Sequence, residues 1–434
     1  MTDPSDPASF SDLPVEMKAN IFAFIRAKAT KAAVCLVNHE WRDIMAPMAF
    51  ENLTIVETHI TPEMLNTILK PDNGVIPHVK SLYLGYESTD ELPDDQCDCP
   101  IEIIAQLIIS ELPKGALRVL AGDVNLPTGM LFQVLQHQTK LKRLDVAFGS
   151  WPDSENISYA HGAHASWMAR RLADIESLTV MRHGAGDVEC KAVGLLVRSA
   201  SRLKALKIVG RRHHPNLLEH RQGHETTADY DVFEGPFEYG RAPPRLCLSR
   251  LSLEHVNVGR SMFLIRRNVD LSTLKCLQLI NCEGIDWFLE LFAPVCNLTE
   301  LKITMAPDSA PQGFTTRAVE ALLNSFRGLK VLWLDLADGR MVNVSCIARH
   351  TTLCQLGLDG QITLRKPVLS TENFATLLQS LPHLEGLAVH LCFVLYDQAV
   401  ESEREAELAP DRCRDEMLLG QRTYFVSRFL NTYL

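Results

Sequence analysis

One spacing recurs through most of this chain: Leu-x-x-Leu-x-Leu, with Ile or Val admitted at the apolar places. It reads Val79-Leu82-Leu84, Leu141-Leu144-Val146, Ile175-Leu178-Val180 and Leu203-Leu206-Ile208. It continues as Leu248-Leu251-Leu253, Leu274-Leu277-Leu279, Leu298-Leu301-Ile303 and Leu329-Leu332-Leu334. Leu353-Leu356-Leu358 and Leu384-Leu387-Val389 complete ten full matches. Leu117-Leu120 is a degraded eleventh, with Gly122 where the third apolar residue belongs. From Leu251 onward the central leucines (251, 277, 301, 332, 356, 387) lie 26, 24, 31, 24 and 31 residues apart. The last apolar pair of each match is two apart, which puts both on one side of a short strand. No single unit of this size buries its own apolar side, so the units must stack.

Between these strands lie segments with helical apolar spacing: 101–112, 130–138, 166–174, 188–200, 262–268, 285–295, 316–326 and 372–381. Several follow Ser, Thr or Asp and precede Pro, Gly or Asn, the expected punctuation of helix ends. Strand, turn and helix in alternation at this period resembles a leucine-rich repeat, which implies a horseshoe-like βα solenoid over residues 51–396. Phe50–Ile55 alternates as a strand leading into it. In the common pattern an Asn or Cys ladders between repeats, and only Cys282 and Cys392 fit that place. The repeats are therefore similar to the irregular leucine-rich domains that follow F-boxes in many fungal proteins. Residues 211–245 break the pattern, with several Gly and Pro and four histidines, and read as a long insertion. Residues 397–434 are first acidic and then carry Tyr424, Phe425, Phe429, Leu430 and Tyr433 at helical spacing. A helix capping the last repeat is expected there, with a partner-binding tail as the alternative.

Residues 1–9 are rich in Pro, Asp and Ser and are expected to be disordered. Residues 10–50 read as two short helices. Ser11 or Asp12 suits an N-cap, Pro14 and Glu16 suit a first turn, and Met17, Ile21, Phe22 and Ile25 form an apolar face. A second run carries Ala33, Leu36, Val37, Trp41 and Ile44 on one side. So small a unit cannot close a core that uses all of these, so some must pack on something else. Leu13-Pro14 with Glu16, then Ile21-Phe22, then Leu36-Val37-Asn38 before Trp41-Arg42, resembles an F-box; Ala32-Ala33 stands where many members carry a bulkier leucine. The resemblance implies docking on the Skp adaptor of a cullin-RING ubiquitin ligase through Leu13, Pro14, Ile21, Phe22, Val37 and Trp41. The alternative is a helical hairpin that only caps the solenoid. The expected fold class is thus α/β, an N-terminal helical F-box-like unit followed by a βα leucine-rich-repeat solenoid.

Composition sets the remaining bounds. The formal charge of −10 makes the chain a poor non-specific binder of nucleic acid or of an anionic membrane. No apolar run is long enough to span a bilayer, and no basic segment followed by an apolar core opens the chain. The twelve cysteines lack a framework spacing, and Cys97-Asp98-Cys99 lacks the second half of a zinc site. Reduced thiols in the cytoplasm or nucleus are expected. His220 and His224 stand four apart without a completing ligand, so no metal or other cofactor is expected. No phosphate-binding glycine loop, zinc-protease helix or nucleophile elbow is present, so no catalytic residue is named and no enzyme is expected; an unmarked site in the 211–245 insertion is the rival. Residues between the strand leucines face away from the core. Arg143, Lys207, Arg250 and Lys302 would put positive charge there on several repeats, beside the aromatic Trp333. Binding of an acidic or phosphorylated client segment is one reading, and a mixed face paired internally with Asp145, Glu254 and Glu300 is the other.

Overall fold

The computed structural model describes residues 10, 13–56, 60–70, 74–85, 100–126, 128–148, 170–182, 197, 199–210, 245–295, 297–305, 314–336, 341–360, 371–389 and 424–427. The chain divides into two compact units. One is Met1–His183 with Ser199–Arg202, and the other is Gly184–Arg198 with Leu203–Leu434. The division falls inside the span expected as one solenoid. The expectations for residues 1–9, for nearly all of the 211–245 insertion, for Cys97, Cys99 and Cys392, and for most of 397–434 lie outside the described residues.

The first unit opens with three helices where two were expected: α1 Val15–Phe22, α2 Lys28–Cys35 and α3 His39–Ala49. The second run breaks because Asn38 is extended, at φ −162° and ψ 174°, and caps α3 by accepting the Trp41 amide at 2.8 Å. Leu36 and Val37 consequently sit at a corner. At the front, Pro14 holds the cap position, with φ −54° preset for a helix start, and the expected caps Ser11 and Asp12 lie outside the described residues. Its carbonyl accepts the amides of Met17 and Lys18, each at 3.0 Å. Lys18 is 2% exposed and donates to Glu40 of α3 at 2.6 Å, tying the first helix to the third.

Five parallel strands follow in this unit: β1 Asn52–Val56, β2 Ser81–Gly85, β3 Val119–Leu126, β4 Arg143–Phe148 and β5 Ser177–Arg182. Between them, among the described residues, lie α4 Pro62–Leu69, α5 Pro100–Glu111 and α6 Thr128–His137. The α4 helix was missed, although Thr61 accepts the Met64 amide at 3.2 Å and Pro62 opens the first turn. The degraded match in β3 has a steric cause. A Cβ on Gly122 would stand 2.1 Å from the Leu84 carbonyl oxygen, and the ladder to β4 shifts register between Ala121 and Asn125.

The second unit carries β6 Ala205–Val209, β7 Arg250–Glu254, β8 Cys276–Ile280, β9 Glu300–Thr304, β10 Val331–Leu336, β11 Gln355–Gly360 and β12 Gly386–Val389. Each pairs in parallel with the next, so the central leucines 206, 251, 277, 301, 332, 356 and 387 stand side by side. All seven are at most 5% exposed. Their helices are α7 Val258–Asn268, α8 Ile285–Phe292, α9 Phe314–Ser325, α10 Val344–Ala348 and α11 Thr371–Ser380. Strand leucines and helix residues such as Phe288, Phe292, Leu322 and Ile347 are all buried. Burial of each such side chain stabilises by about 1.5–3 kcal/mol. Cys282 ladders as expected, its thiol donating to the Leu253 carbonyl of the preceding repeat at 3.1 Å. Burial pushes that thiol up to about 12.

A second correction lies at the end. β13, Tyr424–Ser427, is a strand antiparallel to β12, not part of a capping helix. Tyr-Phe-Val is a strand-favouring run, and it supplies the backbone partners that the β12 edge would otherwise lack. No helix among the described residues is long and apolar enough to cross a membrane.

Two consequences for stability follow. Glu40→Ala removes the carboxylate facing the buried Lys18 ammonium and is expected to destabilise α1–α3 by about 2 kcal/mol, less than a fully buried pair because Glu40 is half in water. Lys18→Met is expected to be neutral or stabilising. Amide exchange over 15–49 distinguishes the two. In the second unit, His350 is fully buried. Its Nδ1 accepts the Leu329 amide at 3.4 Å, so Nε2 carries the hydrogen donated to the Leu323 carbonyl at 3.1 Å. Burial first, then the charges of Arg349 and Arg327, hold its pKa below 6.5; the Leu323 bond acts the other way. The neutral ring is the folded form, so its stabilisation is complete above pH 6.5 and is lost as pH falls through the lower, folded value. Unfolding midpoints of the native chain should drop faster with acid than those of His350→Gln.

Candidate functional site

The three helices use only part of their apolar surface on themselves. On α1 Lys18 and Phe22 turn inward, with Ile25 beyond its end packed against the same core. Phe22 is 3% exposed and its ring lies 5.8 Å from Phe10 and 5.4 Å from Trp41, with Phe10 and Trp41 5.2 Å apart. Cys35 and Met45 complete this core, with Val34, Ile44 and Met48 packed against it. Of the six expected contact residues, then, Phe22 is internal and Trp41 is half-buried beside it. Both shape the unit, and a partner cannot reach Phe22. Leu13 is half-buried, and Pro14, Ile21 and Val37 are exposed.

A second stripe runs along the neighbouring side of α1. Met17 and Ile21, with Phe24 in the turn that follows, are 51%, 43% and 85% exposed. Val15 joins them, and at the α2–α3 corner Leu36 is 79% and Val37 57% exposed. Sequence reasoning put Met17, Ile21 and Phe22 on one face. The structure divides them, with Phe22 on the inward stripe beside Lys18, whose ammonium Glu40 satisfies. Six apolar side chains exposed on so short a segment are more than scattered surface hydrophobics, and exposure of this kind marks interaction surfaces.

The outer sheet face of the second unit is the other candidate. Strand register sets Lys207, Ser252, Gln278, Lys302, Trp333 and Gly357 in one row. Arg250, Cys276, Glu300 and Val331 form the row beside it. Three of the four expected cations are held within the chain. Lys207 pairs with Glu254 at 2.9 Å and Arg250 with Glu300 at 3.3 Å; in the first unit Arg143 pairs with Asp145. The Lys302 ammonium instead lies 5.9 Å from the centre of the Trp333 ring. The indole rests on the neighbouring strand at Gly357, where a Cβ would stand 2.2 Å from it. Cys276, Gln278, Glu300, Leu301, Lys302, Val331 and Trp333 surround a shallow depression of about 180 Å³. Burial and a hydrogen bond with Glu300 push the Cys276 thiol up to about 12, which leaves it a neutral wall and not a nucleophile. Among the described residues no group of His, Cys, Asp and Glu could hold a metal ion.

No family model matches the chain, and no curated protein matches it either. Among solved structures it is similar to a chain of the crystal structure of the Rad7 and Elc1 complex in yeast. The TM-score is 0.41 at 13% identity, over 88% of this chain and 87% of that one.

Proposed function

We propose that the chain is the substrate-recognition adaptor of a cullin-RING ubiquitin ligase. The α1–α3 unit docks on a Skp-family adaptor and through it on a cullin, and the repeats hold a protein client. The chain performs no covalent step. Its contribution is proximity, since a tethered client meets the charged ubiquitin carrier at a high effective concentration.

The observation that carries this reading is the division of labour within α1–α3. Phe22, Trp41 and Met45 hold the helices together, while Val15, Met17, Ile21, Phe24, Leu36 and Val37 stay in water. F-box-like residues of both kinds are present, so the resemblance and the exposure point the same way. The second reading, a protein-binding scaffold with no ubiquitin role, draws on the contact of α3 with the turn Ile76–His78, which is what a cap would make. A cap alone has no use for six exposed apolar side chains.

Co-expression with a Skp-family adaptor tests the choice. The double variant Leu36→Asp, Val37→Asp alters only exposed positions. It is expected to recover at least about tenfold less adaptor, as loss of one interface hot spot would give, with an unchanged unfolding midpoint. Undiminished recovery, or no adaptor bound by the native chain, favours the scaffold.

A further inference from the structure

The pairing of charges on the outer strands singles out one position. Lys207, Arg250 and Arg143 each meet a carboxylate of their own chain, so an incoming anion would have to displace Glu254, Glu300 or Asp145. Among the described residues Lys302 has no such carboxylate. Its ammonium stands over the Trp333 ring, at the lip of a depression whose other walls include the apolar Leu301 and Val331. Glu300, also in the wall, is already neutralised by Arg250. What the depression offers is an apolar floor, one aromatic face and one unpaired cation.

We propose that this depression is the client-reading point of the repeats, and that it takes a protein segment in which a large apolar side chain stands next to a single Asp or Glu. The apolar side chain covers Trp333 and Val331, and the carboxylate accepts from Lys302. A phosphorylated residue fits less well. A phosphate dianion is held best by free Arg forks, and the one guanidinium bordering the site, Arg250, is committed to Glu300. Lys302 is a single point charge, matched to one carboxylate. The Gly357 shelf matters because any side chain there would run into the indole of Trp333.

This inference rests on the reading that the repeats hold a client, and its test separates the two. A random twelve-residue peptide library displayed on phage is panned on the full-length chain. Enriched sequences are then measured as labelled synthetic peptides by fluorescence anisotropy. Peptides carrying Asp or Glu beside a large apolar residue are expected. Their affinity should fall about tenfold or more in Lys302→Gln and in Trp333→Ala, and less than about twofold in Lys207→Gln. Unfolding midpoints of each variant verify the fold, and Lys302→Gln, at a half-exposed position, remains informative if Trp333→Ala misfolds. Enriched peptides without an acid, or indifferent to both variants, overturn the inference; if they weaken in Lys207→Gln the client-holding reading survives. Should no peptide enrich, or none respond to any of the three, both fall.

Discussion

Parallel registration of successive strands is the constraint on which everything else in this chain depends. A strand with leucines two apart buries them only if a layer of helices covers that side and neighbouring strands close the flanks. In the second unit the pairing runs without slip from β6 to β12, so the leucines form a continuous row at the centre of the core. Side groups then bind repeat to repeat where backbone bonds do not, as when Cys282 reaches the Leu253 carbonyl and His350 bridges Leu323 to Leu329. The edge left after β12 is a liability of any such stack, and β13 takes it up by pairing in the opposite direction.

The same registration decides what the other side of the sheet can do. Residues between the leucines fall into rows, so charges thirty residues or more apart in sequence become neighbours; Arg250 and Glu300 are two strands apart and still within 3.3 Å. This neutralises most of a face that looks basic when positions are read one at a time. The exception sits where an aromatic ring occupies the place a carboxylate would take. Trp333 is there because its register partner on β11 is a glycine, which no reading of a single repeat would connect to it.

Much of this was legible in the sequence because leucine spacing is a local signal with a steric meaning. The last two apolar residues of all ten full matches lie on strands, and the helices at 101–112, 130–138 and 316–326 were placed within a few residues. What stayed hidden depends on contacts distant in sequence. Gly122 read as decay and is instead required by the Leu84 carbonyl. Lys18, a charged residue within the apolar run, is buried because Glu40, on another helix, compensates it. Grouping Met17 and Ile21 with Phe22 merged two neighbouring stripes of α1, of which only the one with Phe22 turns inward. The break at Asn38 was legible in principle, since Asn before a run of helix formers is a cap signal. The Tyr424–Ser427 strand was not, since aromatic residues at mixed spacing suit either a short helix or an edge strand until the open neighbour is known.

The N-terminal helices thus fold on one set of apolar residues and hold out another. Amide hydrogen exchange of the full chain, alone and saturated with a Skp-family adaptor, tests that most directly. The account requires slowed exchange confined to the α1–α2 side, residues 15–24 and 33–38, with the strands of both units unchanged. Equal exchange in the two samples over those residues would contradict it.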